Sequence, residues 1–402
     1  MRVALVYAHA GPPQRGQQPA VGPHQRVSRI AAELTRLGHD VRVYEPREDP
    51  DAPPTTEAEG YRVYRAPVEP ANGKGPVAHV QAFGRWLAEQ WSRDWRPDVV
   101  HGHFWVGGLA AASAVGRTTI PVVQTFHSLG VEQLRHLGAG YTGPGERIPL
   151  ERALSRAVDL AVAQCTDEVD ELTRMGLQRT SVVVVPAGVD TDRFRPDGER
   201  APREPRRRRI LSVGGFGPGH GHDDVIRAMR LVGDAELVIA GGPPAHALDE
   251  HPEARRLRQL AQELGVGDQV RLIGAVSHDQ MARWYRSADV VACTPRYAPT
   301  GMVPLEAMAC GVPVVGYARG GVADTVVDNV TGRLVPVGDI RTLGITLRRL
   351  LADEAERFAY GHAALDRVRC RYTWDRAASA LERIYERVCR RRRGARVDTS
   401  AS

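Results

Sequence analysis

The sequence predicts an α/β protein made of two doubly wound domains. Short apolar strands alternate with helical patterns along the whole chain, and this series breaks once, near the middle. The length of 402 residues exceeds one ordinary core and suits two domains of roughly 200 residues each.

The first domain is expected over residues 1–195. Strand Val3–Tyr7 leads through a Gly/Pro/Gln-rich loop to a helix whose apolar positions Val27, Ile30, Ala31, Leu34 and Leu37 recur at helical spacing, with Gly38 as its stop. Further strands are expected at Val41–Tyr44, Asp98–His101, Val122–Phe126, Leu160–Ala163 and Val182–Val185. Residues 196–208 are polar, carry three prolines and read as a linker. The second domain, 209–373, repeats the alternation with strands at Ile210–Val213, Leu237–Ala240, Val270–Ile273, Val290–Cys293 and Val312–Val315. Ser277-x-x-Gln280 forms a capping-box pattern, and Asp339 suits the cap of a helix running towards Leu351. A final amphipathic helix covers Trp374 to about Val388 and on its pattern alone would cap the second domain, with 391–402 as a basic, disordered tail.

Apolar content of 42% and charged content of 25% are those of a folded globular protein. No apolar run reaches the length of a transmembrane span, and Met1–Ala8 reads as a first buried strand rather than a signal peptide. Five cysteines, odd in number and widely spaced, suggest reduced thiols and a cytoplasmic protein. The net charge of +6 is almost entirely arginine, with Lys74 the single lysine. Two runs concentrate it, Arg206–Arg209 and Arg390–Arg393. Each reads as a solvated segment, with peripheral contact to an anionic membrane as the alternative for Arg390–Arg393. No nucleic-acid partner is expected.

Residues 295–315 read Pro-Arg-Tyr-Ala298-Pro-Thr-Gly301-Met-Val-Pro-Leu-Glu306-Ala-Met-Ala-Cys-Gly311-Val-Pro-Val-Val. This block resembles the signature of the family 4 retaining glycosyltransferases, in which two glutamates stand eight positions apart; the second is Glu306, and Ala298 replaces the first. The resemblance extends along the chain through Pro97–Trp105, Val123–His127, Val185–Asp190 and Tyr372–Trp374, and within the family it points to the branch of sucrose-phosphate synthase-like bacterial transferases. It implies the GT-B fold, two doubly wound Rossmann-like domains facing each other across a cleft, with the acceptor on the first and a nucleotide-sugar donor mainly on the second. It also implies that the C-terminal helix, 374–390, returns to the first domain.

The resemblance assigns roles residue by residue. Glu306 would accept hydrogen bonds from the ribose hydroxyls, a task suited to two acceptor oxygens. Gly301, Met302 and Val303, at the start of the helix that begins near Val303, would offer N–H groups to the donor phosphate. Gly22 matches one glycine of a phosphate-approaching loop, with Pro23 in place of its second. Gly214 opens a glycine-rich loop in which Gly215 stands where the family has arginine and His220 where it has lysine. His220, as an imidazolium, would restore part of the lost charge, the glycine loop would form an anion nest, and His220-x-His222-Asp223 is a further candidate to hold a metal. His127 would position the donor sugar as the catalytic histidine, and Arg135 and His136 resemble a basic pair on the acceptor side. The expected activity is transfer of a sugar from a nucleoside diphosphate donor to a small-molecule or lipid acceptor hydroxyl, with retention and without metal or cofactor. The alternative is a non-catalytic homologue that binds a nucleotide or a partner protein.

Overall fold

The structure, a computed structural model, describes residues 1–8, 23–68, 75–92, 95–116 and 118–400. These fall into two compact units. The first comprises Met1–Ala8, Pro23–Pro186 and the C-terminal segment from Trp374, and the second Ala187–Thr373.

The first unit has eight strands, β1 (Arg2–Tyr7), β2 (Asp40–Pro46), β3 (Thr55–Ala58), β4 (Tyr61–Ala66), β5 (Val99–His103), β6 (Val122–Thr125), β7 (Leu160–Ala163) and β8 (Val182–Val184). Its helices are α1 (Pro23–Arg36), α2 (Gly75–Ser92), α3 (Phe104–Val115), α4 (Gly130–Leu137), α5 (Arg147–Ala157) and α6 (Thr166–Arg174). The strand order is β3-β4-β2-β1-β5-β6-β7-β8, parallel except for the β3–β4 hairpin at one edge. Helices cover both faces, so β1, β5, β6 and β7 are buried on both sides and read as apolar runs rather than as alternation. The hairpin turns at Glu59-Gly60, both with positive φ, as a two-residue turn requires. It has no counterpart among the expected strands because β3, Thr-Thr-Glu-Ala, is a polar edge.

The second unit contains β9 (Arg208–Val213), β10 (Ala235–Ala240), β11 (Val270–Gly274), β12 (Val290–Cys293), β13 (Val314–Tyr317) and β14 (Gly332–Val335). Its helices are α7 (His222–Met229), α8 (Pro252–Glu263), α9 (His278–Ser287), α10 (Met302–Ala309), α11 (Gly320–Thr325), α12 (Ile340–Ala352) and α13 (Glu354–Arg371). All six strands are parallel, in the order β11-β10-β9-β12-β13-β14. Asp339 caps α12 by accepting from Thr342 N at 2.9 Å. Ser277 occupies the N-cap of α9 but makes no side-chain capping bond, so the box read from the sequence does not close.

Residues 196–208 belong to the second unit rather than forming a free linker. Ala201 N donates to Arg283 O, Arg286 Nε to Glu199 O, and Arg203 Nη1 to Asp289 Oδ2. The run Arg206–Arg209 is correspondingly only partly solvated, with Arg206 exposed. Arg209 is fully buried and its guanidinium reaches Glu236, Ser287 and Pro202 O, each at 2.7 Å. Arg208 pairs with Asp289 and Arg207 with Asp234.

The last helix, α14 (Trp374–Ser400), belongs to the first unit. Its stripe Ala377, Ala378, Leu381, Ile384, Tyr385 and Val388 is buried with Val3, Leu5, Val27, Ala31 and Leu34. Residues 391–400 continue this helix instead of forming a disordered tail. Arg390 lies 3.4 Å from Glu386, one turn back, and Arg392 pairs with Asp159 at 2.7 Å, so part of the basic run is neutralised within the unit. No helix among the described residues is long and apolar enough to cross a membrane. All five cysteines are free, and burial pushes the Cys293 and Cys310 thiols up to about 12.

Candidate functional site

In the second unit the chain leaves β9 for β10 and β11 on one side and returns through β12, β13 and β14 on the other. The carboxyl ends of β9 and β12 therefore flank the point where the winding reverses, which is where open parallel sheets bind ligands. The loop after β9 carries Gly214, Gly215 and the turn Pro218–His220, and Gly221 then opens α7. The loop after β12 runs from Thr294 through Ala298 to Gly301, the N-cap of α10.

The two loops are joined backbone to backbone. Arg296 N donates to Gly219 O at 2.8 Å, and Thr294 Oγ1 to Gly221 O at 3.0 Å. Gly221 has φ +73°, and a Cβ there would lie 1.9 Å from Thr294 O. Gly301 has φ +58°, and a Cβ there would lie 2.5 Å from Gly321 O, while Gly321 N donates to Ala298 O at 2.7 Å. Thr325 Oγ1 lies 2.8 Å from the same Cβ position, and Gly301, as N-cap, brings no side-chain cap to the first N–H groups of α10. Glu306, one turn further on, is 1% exposed and accepts from Tyr285 Oη at 2.8 Å. Burial and the Glu306 charge raise the Tyr285 phenol well above its ordinary value, so it stays a donor.

His222 organises the glycine loop. Its Nε2 lies 3.0 Å from Gly215 O and 3.3 Å from Gly214 O, and its Nδ1 lies 2.9 Å from Ser212 Oγ. Carbonyls only accept, so Nε2 carries the proton and Nδ1 accepts from Ser212. Burial, with repulsion from His220, lowers its pKa to about 4, and the ring is neutral at pH 7. His220 is exposed, yet its ring packs against the loop, with Nε2 3.0 Å from where a Cβ of Gly215 would stand, and desolvation by that packing lowers its pKa also. The imidazolium expected at His220 is therefore disfavoured. Both nitrogens of His222 are occupied and Asp223 pairs with Arg227 at 2.8 Å, so the His220-x-His222-Asp223 stretch does not converge as a metal site. Among the described residues no three His, Cys, Asp or Glu side chains do. Gly22 lies outside the described residues.

The first unit carries a separate histidine cluster. His127 follows β6 with φ +60°, and its Nε2 lies 2.9 Å from His103 Nδ1. The Phe104 ring, whose residue also has φ +60°, lies 4.6 Å from the His127 ring. His101 bridges Tyr385 Oη (2.7 Å) and Thr125 Oγ1 (2.8 Å), tying α14 to this cluster. Burial lowers His103 to about 3; it lowers His101 well below its ordinary value, assisted by His103 and His127. Beyond His127, Arg147 donates to Ser128 O (2.9 Å), Ser128 Oγ (3.0 Å), Gln133 Oε1 (2.7 Å) and Glu151 Oε1 (2.7 Å), and Glu151 Oε2 accepts from Gly130 N (2.8 Å). This clamp fixes the loop that leaves His127. Arg135 is committed elsewhere: its guanidinium makes a two-pronged pair with Glu171 at 2.8 and 3.2 Å. Its neighbour His136 also lies in the last turn of α4.

Glu168 adds a buried acid to this region. Its Oε2 accepts from Gln164 N at 2.7 Å, and burial, with the Glu132 and Glu151 charges, raises its pKa to about 8. A carboxyl whose folded pKa lies above its unfolded value favours folding most at low pH and loses that contribution as pH rises from about 4.5 towards 8. Glu168→Gln should therefore raise stability at pH 7 by roughly 3 kcal/mol, with the gain vanishing near pH 4.5. Denaturation midpoints measured across that range check this, and a gain that does not vary with pH would contradict it.

Sequence reasoning singled out Glu306, His127, Gly301 and the glycine loop, and His222 only as a candidate metal ligand, but not Tyr285, His101, His103, Arg147 or Glu151. Two weak signals were present. His101 and His103 share one face of a strand, and Arg147 and Glu151 are one helical turn apart.

Comparison with known proteins covers both units. Residues 21–188 match the family described as glycosyl transferase 4-like domain, and residues 196–367 match glycosyl transferases group 1. A D-inositol 3-phosphate glycosyltransferase of Xylanimonas cellulosilytica is 32% identical over 97% of this chain and 98% of its own length. The chain belongs to the glycosyltransferases. A second relative of that name, from Kineococcus radiotolerans, is 32% identical over 96% of this chain and 95% of its own. The fold of this glycosyltransferase is GT-B. The sucrose-phosphate synthase from Thermosynechococcus elongatus superposes with a TM-score of 0.83 at 24% identity, covering 96% of this chain and 98% of that one. Anabaena HepE, solved in complex with UDP and glucose, superposes with a TM-score of 0.70 at 15% identity, covering 96% and 99%.

Proposed function

We propose that this glycosyltransferase moves a sugar from a nucleoside diphosphate donor, bound on the second unit, to an acceptor hydroxyl bound on the first, with retention at the anomeric carbon. The observation that carries the reading is the buried Glu306, held by Tyr285 one turn into a helix whose start, at Gly301, lies at the winding reversal of a parallel sheet. A carboxylate there accepts from the two ribose hydroxyls, and the free N–H groups of Met302 and Val303 receive phosphate. The leaving phosphate takes the acceptor proton on the face it departs from, and His127, held by His103, positions the sugar. No metal enters this scheme. The names of the relatives supply the first acceptor to try, D-inositol 3-phosphate.

A second reading has its own observation. Gly215 and Ala298 bring no polar side chain to the phosphate and sugar end, and the charged form of His220 is disfavoured, which suits a homologue that binds nucleotide without transferring sugar. One experiment separates the two. UDP-, GDP-, ADP- and dTDP-sugars are offered with D-inositol 3-phosphate and with other polar acceptors, and product configuration is read by NMR. Nucleotide affinity is measured in parallel for the natural chain and Glu306→Gln, which retains an acceptor for Tyr285. Transfer with retention and a loss of affinity of about tenfold or more in the variant is the expected result. Binding without transfer would favour the second reading, and equal affinity in both proteins would remove Glu306 from the donor site.

A further inference from the structure

The phosphate end of the second unit's crevice poses an electrostatic problem, because a departing diphosphate needs positive charge and Gly215, His220 and Ala298 bring no permanently charged side chain. Two arginines stand at the rim of this end. Arg296 lies in the loop after β12, and its N donates to Gly219 O at 2.8 Å, so it abuts the turn that carries His220. Arg319 follows β13, the next strand of the sheet, and its Nη1 donates to Arg296 O at 3.2 Å. The residue after it, Gly320, packs so closely that a Cβ would lie 2.4 Å from Ala298 O. One arginine thus adjoins the position of His220 and the other that of Ala298. The Arg296 side chain is 50% exposed, and its approach to Asp224 is long, at 3.8 Å. Asp224 is already served by Tyr317 Oη at 2.8 Å and Arg227 at 3.4 Å.

We propose that Arg296 and Arg319 bind the diphosphate of the donor, supplying from the β12 and β13 loops the positive charge that the β9 loop lacks. The inference rests on reading the second unit as the donor site. A guanidinium offers paired N–H donors to phosphate oxygens and stays charged at every working pH. Moving the cations from one lip of the crevice to the other preserves the charge while freeing the glycine loop to lie flat against His220 and His222.

The test is calorimetry on the full chain with UDP, GDP and ADP and with uridine, guanosine and adenosine. It compares the natural protein with Arg296→Gln, Arg319→Gln, the double variant, and Arg258→Gln as an exposed control on α8. Each single rim variant should weaken nucleoside diphosphate binding about tenfold or more, leave nucleoside binding within about twofold, and flatten the salt dependence; Arg258→Gln should change none of these. Arg296→Lys and Arg319→Lys, which keep the charge, should recover part of the loss, so a folding defect cannot imitate the result. A double variant that binds UDP, GDP or ADP as tightly as the natural chain overturns the inference and leaves the donor reading standing. Failure of the natural chain to bind any of the three overturns both.

Discussion

Gly221→Ala should cost the second unit about 3 kcal/mol or more, measured as a lowered denaturation midpoint. The residue sits at φ +73°, where an L side chain is strained by roughly 1–2 kcal/mol before any neighbour is considered. The added methyl would also lie 1.9 Å from Thr294 O. That atom belongs to the backbone at the end of β12 and cannot rotate away as a side chain would. Relief requires the β9 and β12 loops to part, which breaks the bond from Thr294 Oγ1 to Gly221 O and loosens the one from Arg296 N to Gly219 O. Destabilisation of this size has a short list of causes, and strain at a special backbone position is one. Gly217→Ala is the matched control, four residues away at φ −63° with nothing within 4 Å of its would-be Cβ. It should change stability by less than about 0.5 kcal/mol. Equal losses in the two variants would show that the loops do not interlock as described.

The parts of this molecule that were legible in its sequence are those whose physics is local. Central strands such as Leu160–Ala163 and Val290–Cys293 are buried on both faces, so they stand out as apolar runs between helices. Asp339 caps its helix because the bond spans three residues. The edge strands β3 and β14 were not legible, since Thr-Thr-Glu-Ala and Gly-Arg-Leu-Val carry little apolar pattern and take their order from a single neighbour. Arg209 is the sharpest misreading. A run of four arginines looks solvated, yet one of them is fully buried because Glu236, Ser287 and Pro202 O, distant in sequence or behind a turn, converge on its guanidinium.

The candidate site divides along the same line. Glu306, Gly301 and His127 could be read because each falls in a short motif. Their supports could not, because Tyr285 reaches Glu306 from another helix, and Tyr385 reaches His101 from nearly three hundred residues away. The charge state of His220 belongs with these. Its reference pKa left a partial cation open, and only the packing of its ring against the glycine loop shows that the charged form is disfavoured.

Acid should weaken the second unit well above the pH at which its carboxylates titrate, and His222 should be the main cause. The folded pKa of His222 is about 4 and the unfolded value about 6.5. A group depressed on folding binds protons more readily in the unfolded chain, so its stabilisation is present above pH 6.5 and is lost as pH falls towards 4. At pH 5 the loss is about 2 kcal/mol from this residue alone. Protonation would place a second donor on Nδ1 opposite Ser212 Oγ and a charge beside His220, so the glycine loop should loosen before the sheet does. His222→Gln keeps a donor for Gly215 O and an acceptor for Ser212 while removing the titration. The test is the difference in unfolding free energy between pH 7 and pH 5, which should shrink by about 2 kcal/mol in that variant. In the first unit the same descent in pH protonates His103 in the unfolded chain alone, since its folded pKa is near 3, which weakens the unit, but it relieves Glu168, with a folded pKa near 8, so the two slopes oppose each other. A His222→Gln protein as acid-sensitive as its parent would mean that the buried ring does not stay neutral and that the loop is held by something else.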